Sequence, residues 1–350
     1  MSPATGSVPP PLPAALAAYA GTGAGEYTLL ADRADGTVVR CGDIVVKAHA
    51  GDSDPDGLAL RMRIAAHPSL AGVLLPPLRP ETGWLHGRPV SLWPYGPPVD
   101  PDHPEDAPWE AAAQLLAALH QVPLHHLPTP VPPMRGPTKV ARALHRLASS
   151  AAPAAPPVPA APAVPAASAA PAASAVPAAP AASAASVGSA EAVWAAARTL
   201  PAWARGEGAA PGCGGGALCH GDLHLGQLVR TAPEGAWRLI DIDDLGLGAP
   251  AWDLARPAAW YGAGLLDTGT WLRFLDAYRA AGGPAAGPPG SDPWPELDVP
   301  ARALTVQTAA LALAKSAQEG RRLDDGERLM VDACVRIAAL PPHLEPDPAS

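Results

Sequence analysis

None of the four cysteines (Cys41, Cys213, Cys219, Cys334) stands in a C-x-x-C pair, so the chain lacks the usual ligand spacing of a structural zinc site. No uninterrupted apolar run reaches the ~20 residues that a membrane-spanning helix needs. The start has no basic segment followed by an apolar core, so no secretory signal is read. Reduced thiols and a cytoplasmic location are the expectation. No basic stripe is interleaved with aromatics and the net charge is −9, which argues against nucleic acid as a partner. A Walker-type phosphate loop is missing, as is a Gly-x-Ser-x-Gly nucleophile motif. The run Gly21-Thr-Gly-Ala-Gly25 neither follows a strand nor opens a helix, which sets dinucleotide binding aside.

What the chain does have is room and an uneven distribution of residues. Its 350 residues suffice for a sizeable core and two lobes. Residues 151–186 contain only Ala, Pro, Val and Ser. Repeated proline forbids one continuous helix and the absence of large side chains forbids a core, so a disordered or polyproline-like insertion is expected. Residues 1–20, also rich in Pro and Ala, are expected to be poorly ordered. Charge is uneven: residues 1–150 carry 11 basic and 13 acidic side chains, residues 187–350 carry 13 and 20. Such an acidic second half suits a cationic substrate or simply keeps the protein soluble.

Three β-branched runs open the ordered part: Tyr27 to Ala31, Thr37 to Cys41, and Ile44 to Lys47 after a Gly42-Asp43 turn that fits a two-residue hairpin. A short helix is read over Leu58 to Ala66 and a strand pair within Gly83 to Leu92. Beyond Trp93-Pro94-Tyr95-Gly96 the pattern turns helical. Asp106 is read as a cap, and Trp109, Ala112, Leu116 and Leu119 share one face. Further helices are expected over Val140 to Leu147, over Glu191 to Ala204, from after Pro300 to about Glu319, and around Met330, Ala333, Cys334 and Ile337. The outline is α+β: a small antiparallel-sheet lobe over residues 21–96, then a larger helical lobe over 97–350 that carries the insertion.

The densest chemistry lies in His220-Gly221-Asp222-Leu223-His224-Leu225-Gly226-Gln227 and in Leu239-Ile240-Asp241-Ile242-Asp243-Asp244. An apolar run ending in acids describes a strand that leaves the core and delivers carboxylates to a mouth. Carboxylate and carbonyl oxygens suit Mg²⁺, which is commonly held together with substrate phosphates. A carboxylate five residues before an amide, followed by a second acidic strand, meets the needs of phosphoryl transfer: one group for the acceptor's proton, two for the metal.

At these residues the sequence resembles the aminoglycoside phosphotransferase family, which has a protein-kinase-like fold. The family's catalytic loop reads H-G-D-x-x-x-x-N and its metal strand I-D-x-x-x-x-G-x-x-x-x-D-L-A. Here they stand as His220 to Gln227, and as Ile240-Asp241 through Gly246 to Asp253-Leu254-Ala255. The resemblance implies a two-lobed kinase-like protein that uses ATP and Mg²⁺ to phosphorylate a hydroxyl of a small molecule of aminoglycoside, sugar or amino-alcohol type. Asp222 would handle the acceptor's proton, with Gln227, at the family's Asn position, and Asp241 holding the metal. Lys47 would touch the α/β-phosphates, and the backbone around Trp93 and Tyr95 would meet adenine at a hinge over residues 93–96.

Asp253 and His220 are read as supports of the catalytic loop and His120 as a packed side chain. Asp243 and Asp244 are read as further metal contacts or as turn caps. Kinases pair the phosphate lysine with a helix Glu. Leu58 to Ala66 holds no acid, leaving Asp56 or an unidentified partner for Lys47. Trp252, Trp260, Tyr261, Asp267, Trp271 and Glu319 would line the acceptor region, or the tryptophans would be core. The alternative class is a kinase-like nucleotide-binding regulatory or scaffold protein without transfer activity.

Overall fold

A computed structural model describes residues 10–21, 26–33, 35–151, 184–208 and 216–340; the side chains of 151 and 184–187 are excepted. Most of the Ala/Pro stretch read as an insertion, the Gly21 to Gly25 run beyond its first residue, and Cys213 lie outside them. The chain divides into two compact units, Met1–Pro137 with Ala209–Ala301 and Thr138–Gly208 with Arg302–Ser350.

The first unit begins with α1 (Leu12–Tyr19). A five-stranded antiparallel sheet follows, from β1 (Thr28–Arg33), β2 (Gly36–Cys41), β3 (Ile44–His49), β4 (Gly83–Leu85) and β5 (Arg88–Pro94), in the order β1-β2-β3-β5-β4. Gly42 has φ 61°, the left-handed conformation that the tight β2–β3 turn needs. Helix α2 (Pro55–Ala65) lies between β3 and β4, and Asp54 caps it by accepting from the Asp56 N–H.

The segment expected to be poorly ordered therefore contains a helix, for a local reason and a tertiary one. Alanine is the best helix former, and Pro13 falls in the first turn, where a missing N–H costs nothing. Leu16 and Ala17 are fully buried in a cluster with Val39, Val46, Ala48, Val90 and Leu92 of the sheet.

Helix α3 (Trp109–His120) starts after Pro108, while Asp106 ends a separate 3₁₀ turn rather than capping the helix. The remaining elements are α4 (Gly136–Ala151), α5 (Ala184–Arg198), β6 (Ala217–Cys219), β7 (Leu228–Arg230), β8 (Trp237–Leu239), β9 (Gly246–Gly248), α6 (Ala251–Ala263), α7 (Thr268–Ala280), α8 (Trp294–Glu319) and α9 (Asp325–Ala338). The large core of the first unit joins Leu116 and Leu119 of α3, Leu218, Leu228, Leu239 and Phe274. It is the floor on which the polar loops rest. Helix α8 starts six residues before Pro300 instead of after it; Leu297 and Ala301, both buried, hold the turns on either side of the proline.

In the second unit α5 packs on α9 through buried Val193, Ala196, Met330, Ala333 and Cys334. Helix α5 stops at Arg198, short of Pro201, because the residue before a proline is driven out of helical conformation. A reciprocal cap opens α9, with Asp324 accepting from Glu327 N–H at 2.7 Å and Glu327 from Asp324 N–H at 3.0 Å. Among the described residues no helix is long and apolar enough to cross a membrane.

Candidate active site

Two short ladders build the site. β6 pairs with β9, placing Cys219 opposite Gly246, and β7 pairs with β8, placing Leu228 opposite Leu239. The loop 220–227 runs from β6 to β7, and the loop 240–245 runs from β8 to β9. Both loops are closed by the same two ladders, so they must face each other. His220 ties them further, its Nε2 lying 2.8 Å from the Ile240 carbonyl. Gly221 has φ 84°, and a Cβ there would sit 2.5 Å from the Asp244 carbonyl oxygen, so only glycine fits between the loops.

Lys47 sits in β3 opposite Val38 and Ser91. Its Nζ is 2.7 Å from Asp241 Oδ1 and 3.0 Å from Asp243 Oδ2. Burial alone would lower the lysine's pKa, but the two carboxylates outweigh it and hold the ammonium well above its ordinary value. Burial likewise works against ionised Asp243, and Lys47 and His49 hold its carboxyl well below the usual range. Asp241 adopts φ 64°, a left-handed conformation that Asp tolerates better than most residues. Gln227 is buried, and its amide nitrogen lies 3.4 Å from Asp241 Oδ2. The structure thus gathers Lys47, Asp241 and Gln227.

Asp222 meets Arg256, whose Nη2 donates to Oδ1 at 2.6 Å while its Nε donates to the Leu223 carbonyl at 2.9 Å. Behind the loop, fully buried Asp253 accepts from the N–H of His220 at 2.6 Å and of Gly221 at 2.7 Å. His120 Nε2 adds a contact at 2.9 Å, and its Nδ1 reaches the Tyr278 hydroxyl at 2.8 Å. The Asp253 carboxylate only accepts, so a neutral His120 carries its ring proton on Nε2 and its Nδ1 accepts from the Tyr278 hydroxyl, which itself accepts from the Ala285 N–H. Burial opposes an ionised Asp253, yet these donors keep its carboxyl below the ordinary value. Burial pushes the Tyr278 phenol up, keeping its proton in place.

The Trp93 side chain is linked to this cluster through Ser91, while that of Tyr95 is engaged by Arg40. The buried Trp93 indole donates to Ser91 Oγ at 2.8 Å, and the Tyr95 ring lies 3.4 Å beneath the Arg40 guanidinium. The Tyr95 N–H is donated to the Asp43 carbonyl, so among the 93–96 backbone groups that one is taken. Gly96 runs so close to β7 that a Cβ would meet the Arg230 carbonyl at 2.5 Å. In the expected acceptor region, Trp271 is buried and stacks on Tyr261 with 5.5 Å between centroids, and Trp260 meets Trp109 edge-on at 6.2 Å. Asp267 caps α7 through the Thr270 N–H, and Glu319 bonds Arg321. In these contacts the rings pack on one another, Asp267 caps a helix and Glu319 makes an exposed ion pair.

Sequence reasoning missed Arg256, although Asp253 and Arg256 are three apart on α6 and therefore neighbours on its surface. It also missed Arg61, a buried arginine on α2 that donates to the Leu245 carbonyl at 2.8 Å and the Pro133 carbonyl at 3.1 Å. No spacing rule would have found that contact.

His224 caps the turn 225–227 by accepting from the Gly226 N–H, and burial, then the nearby Arg256, lower its pKa to about 4. Below the ordinary value of 6.5 the unfolded chain binds a proton here that the folded chain refuses. Stability from this group is therefore lost as pH falls from 6.5 towards 4. The substitution His224→Asn keeps an acceptor for Gly226 and removes the titration. Its unfolding midpoint is expected to fall less than that of the wild type over this pH window; parallel curves would refute the assignment.

A small antiparallel sheet whose lysine meets one of two facing polar loops is the mark of kinase-like folds, and comparison with solved structures bears this out. The aminoglycoside phosphotransferase APH(4)-Ia matches with a TM-score of 0.53 at 12% identity, covering 90% of this chain and 93% of that one. The choline kinase LicA from Streptococcus pneumoniae matches at 0.52 and 13%, covering 90% and 93%. A choline/ethanolamine kinase family protein from Mesorhizobium loti matches at 0.50 and 16%, covering 90% and 87%. No curated protein sequence matches the chain. The model of the phosphotransferase enzyme family (APH) matches residues 26–297, a span holding Lys47 and both loops. The chain belongs to that family of phosphotransferases, and its α+β fold is kinase-like.

Proposed function

We propose that the protein transfers the γ-phosphate of Mg²⁺-bound ATP to a hydroxyl of an aminoglycoside-, sugar- or amino-alcohol-type acceptor. The observation that carries this reading is the 2.7 Å contact of Lys47 with Asp241, residues 194 positions apart. It joins the sheet lobe to the second of the two motif loops at one point.

Lys47 would bind the α/β-phosphates as a point charge. Adenine would lie against the remaining backbone groups near Trp93 and Tyr95. Gln227 and Asp241 fit a magnesium ion by their chemistry: both offer hard oxygens, their side chains already touch, and an amide can turn its oxygen inward. When bound, Mg²⁺ would neutralise charge on the phosphates. Asp222, held by Arg256, would orient the acceptor hydroxyl. As the acceptor oxygen–phosphorus bond forms and the bond from phosphorus to the β–γ bridging oxygen breaks, Asp222 would receive the hydroxyl proton and ADP would leave.

Thermal unfolding with nucleotide tests the first half. ATP with Mg²⁺ at a hundredfold excess over its dissociation constant is expected to stabilise the protein by about 2.7 kcal/mol. A screen of the three acceptor types with γ-labelled ATP tests the second. Magnesium-dependent stabilisation with no transfer to any of them would favour the scaffold reading, whose motive is Gln227 at the Asn position; no stabilisation would refute both.

A further inference from the structure

Lys47 has a second carboxylate partner whose surroundings are more elaborate than a turn requires. The two oxygens of Asp243 go to two residues of β3: Oδ2 is 3.0 Å from Lys47 Nζ, and Oδ1 is 2.9 Å from His49 Nδ1. Lys47 and His49 are two apart on a strand and so point to the same side. His49 is 1% exposed, and its Nε2 lies 2.8 Å from Ser91 Oγ on the neighbouring β5. The Trp93 indole N–H ends on that same hydroxyl oxygen at 2.8 Å.

Donor and acceptor roles give this chain a direction when the histidine is neutral. An indole N–H only donates, so Ser91 Oγ accepts from Trp93 and has one proton left to give to His49 Nε2. The ring proton of His49 is then on Nδ1 and is donated to Asp243. Trp93, Ser91 and His49 thus run in one polarity into Asp243 Oδ1 and leave Oδ2 aimed at the lysine. Helix α2 offers nothing comparable. Asp56 is exposed and makes no ion pair among the described residues, and the one buried charge on that helix, Arg61, binds the carbonyls of Leu245 and Pro133. Under the proposed function Asp241 is a metal ligand, so it is not free to anchor Lys47 when nucleotide is bound.

We infer that Asp243, oriented by His49 and Ser91, is the carboxylate that positions Lys47 for the nucleotide phosphates. It takes the part that a helix glutamate plays in kinases. Asp243 is a positioning residue in this reading, since it acts through the lysine. The inference rests on the proposed role of Lys47.

The test is titration with a fluorescent ATP analogue and Mg²⁺, together with ATP KM and kcat where an acceptor is in hand. Asp243→Asn is expected to weaken nucleotide binding about ten- to a hundredfold, the worth of one charged hydrogen bond, with KM moving more than kcat. His49→Gln should weaken it less. The double variant should bind no worse than Asp243→Asn alone, because both changes act on one carboxylate. Asp56→Asn should bind as the wild type does. Circular dichroism checks that each variant folds. Should Asp243→Asn not fold, His49→Gln carries the test, and unchanged affinity in it overturns the inference. Asp243→Asn with wild-type affinity, beside a Lys47→Ala that has lost it, overturns this inference and leaves the proposed function standing. A wild-type protein that binds no nucleotide overturns both.

Discussion

Phosphoryl transfer by the Asp222→Asn protein is expected to fall by about 10²- to 10⁴-fold, the usual contribution of a positioned proton acceptor. Nucleotide affinity should stay close to that of the wild type. The split follows from the geometry. Asp222 is held by Arg256 on α6, whereas the groups offered to the nucleotide are Lys47, Asp241 and Gln227. An asparagine keeps one oxygen for Arg256, so the loop should keep its shape while the proton acceptor is gone. Transfer of labelled phosphate and a nucleotide titration on the same preparation decide the matter. Parallel loss of both would mean that Asp222 holds the loop together instead of serving the acceptor. Full retention of transfer would remove it from the chemistry.

The second large effect concerns stability. Asp253→Ala is expected to cost about 3–5 kcal/mol, the range for removing one partner of a buried ion pair or charged network. Three donors lose their acceptor at once: the N–H groups of His220 and Gly221, and His120 Nε2. Unmet buried donors cost more than the net worth of the bonds they made. Against a typical total of about 5–15 kcal/mol this is a large share. Asp253→Asn, which retains one carbonyl oxygen, should lose less. Urea unfolding measures both, and a midpoint for the alanine variant equal to that of the wild type would show that Asp253 is no brace. Because Asp253 sits directly behind His220 and Gly221, transfer should fall as well, even where the protein still folds.

The core of the site was legible because its motifs are short-range. His220 to Gln227 and Asp241 to Asp253 have spacings tied to a loop and a strand end, and such spacings survive in the one-dimensional order. The antiparallel strands of the first lobe were legible for the same reason, since β-branched runs and the Gly42-Asp43 turn act over a few residues. Where local signals were misleading, the cause was composition read without packing. Leu12 to Tyr19 looks like a tail until Leu16 and Ala17 find the sheet, and Pro300 looks like a helix start until Leu297 and Ala301 are seen to be buried beside it. The aromatic residues of α6 and α7 were read as acceptor lining or core, and their stacking shows packing.

By itself, the sequence determined the family, the kinase-like outline and the identities of Lys47, Asp222, Gln227 and Asp241 as candidates. Each depends on residue type and on spacing within a single element or loop. Only the tertiary structure decided how those residues are held: Lys47 by Asp243 with His49 behind it, Asp222 by Arg256, and the loop by Asp253 with His120 and Tyr278. These partners are up to 196 positions apart, the separation of Lys47 and Asp243. A side chain's partner across such a separation is set by which ladders pair and which faces pack, and one chain read alone carries no local signal for that.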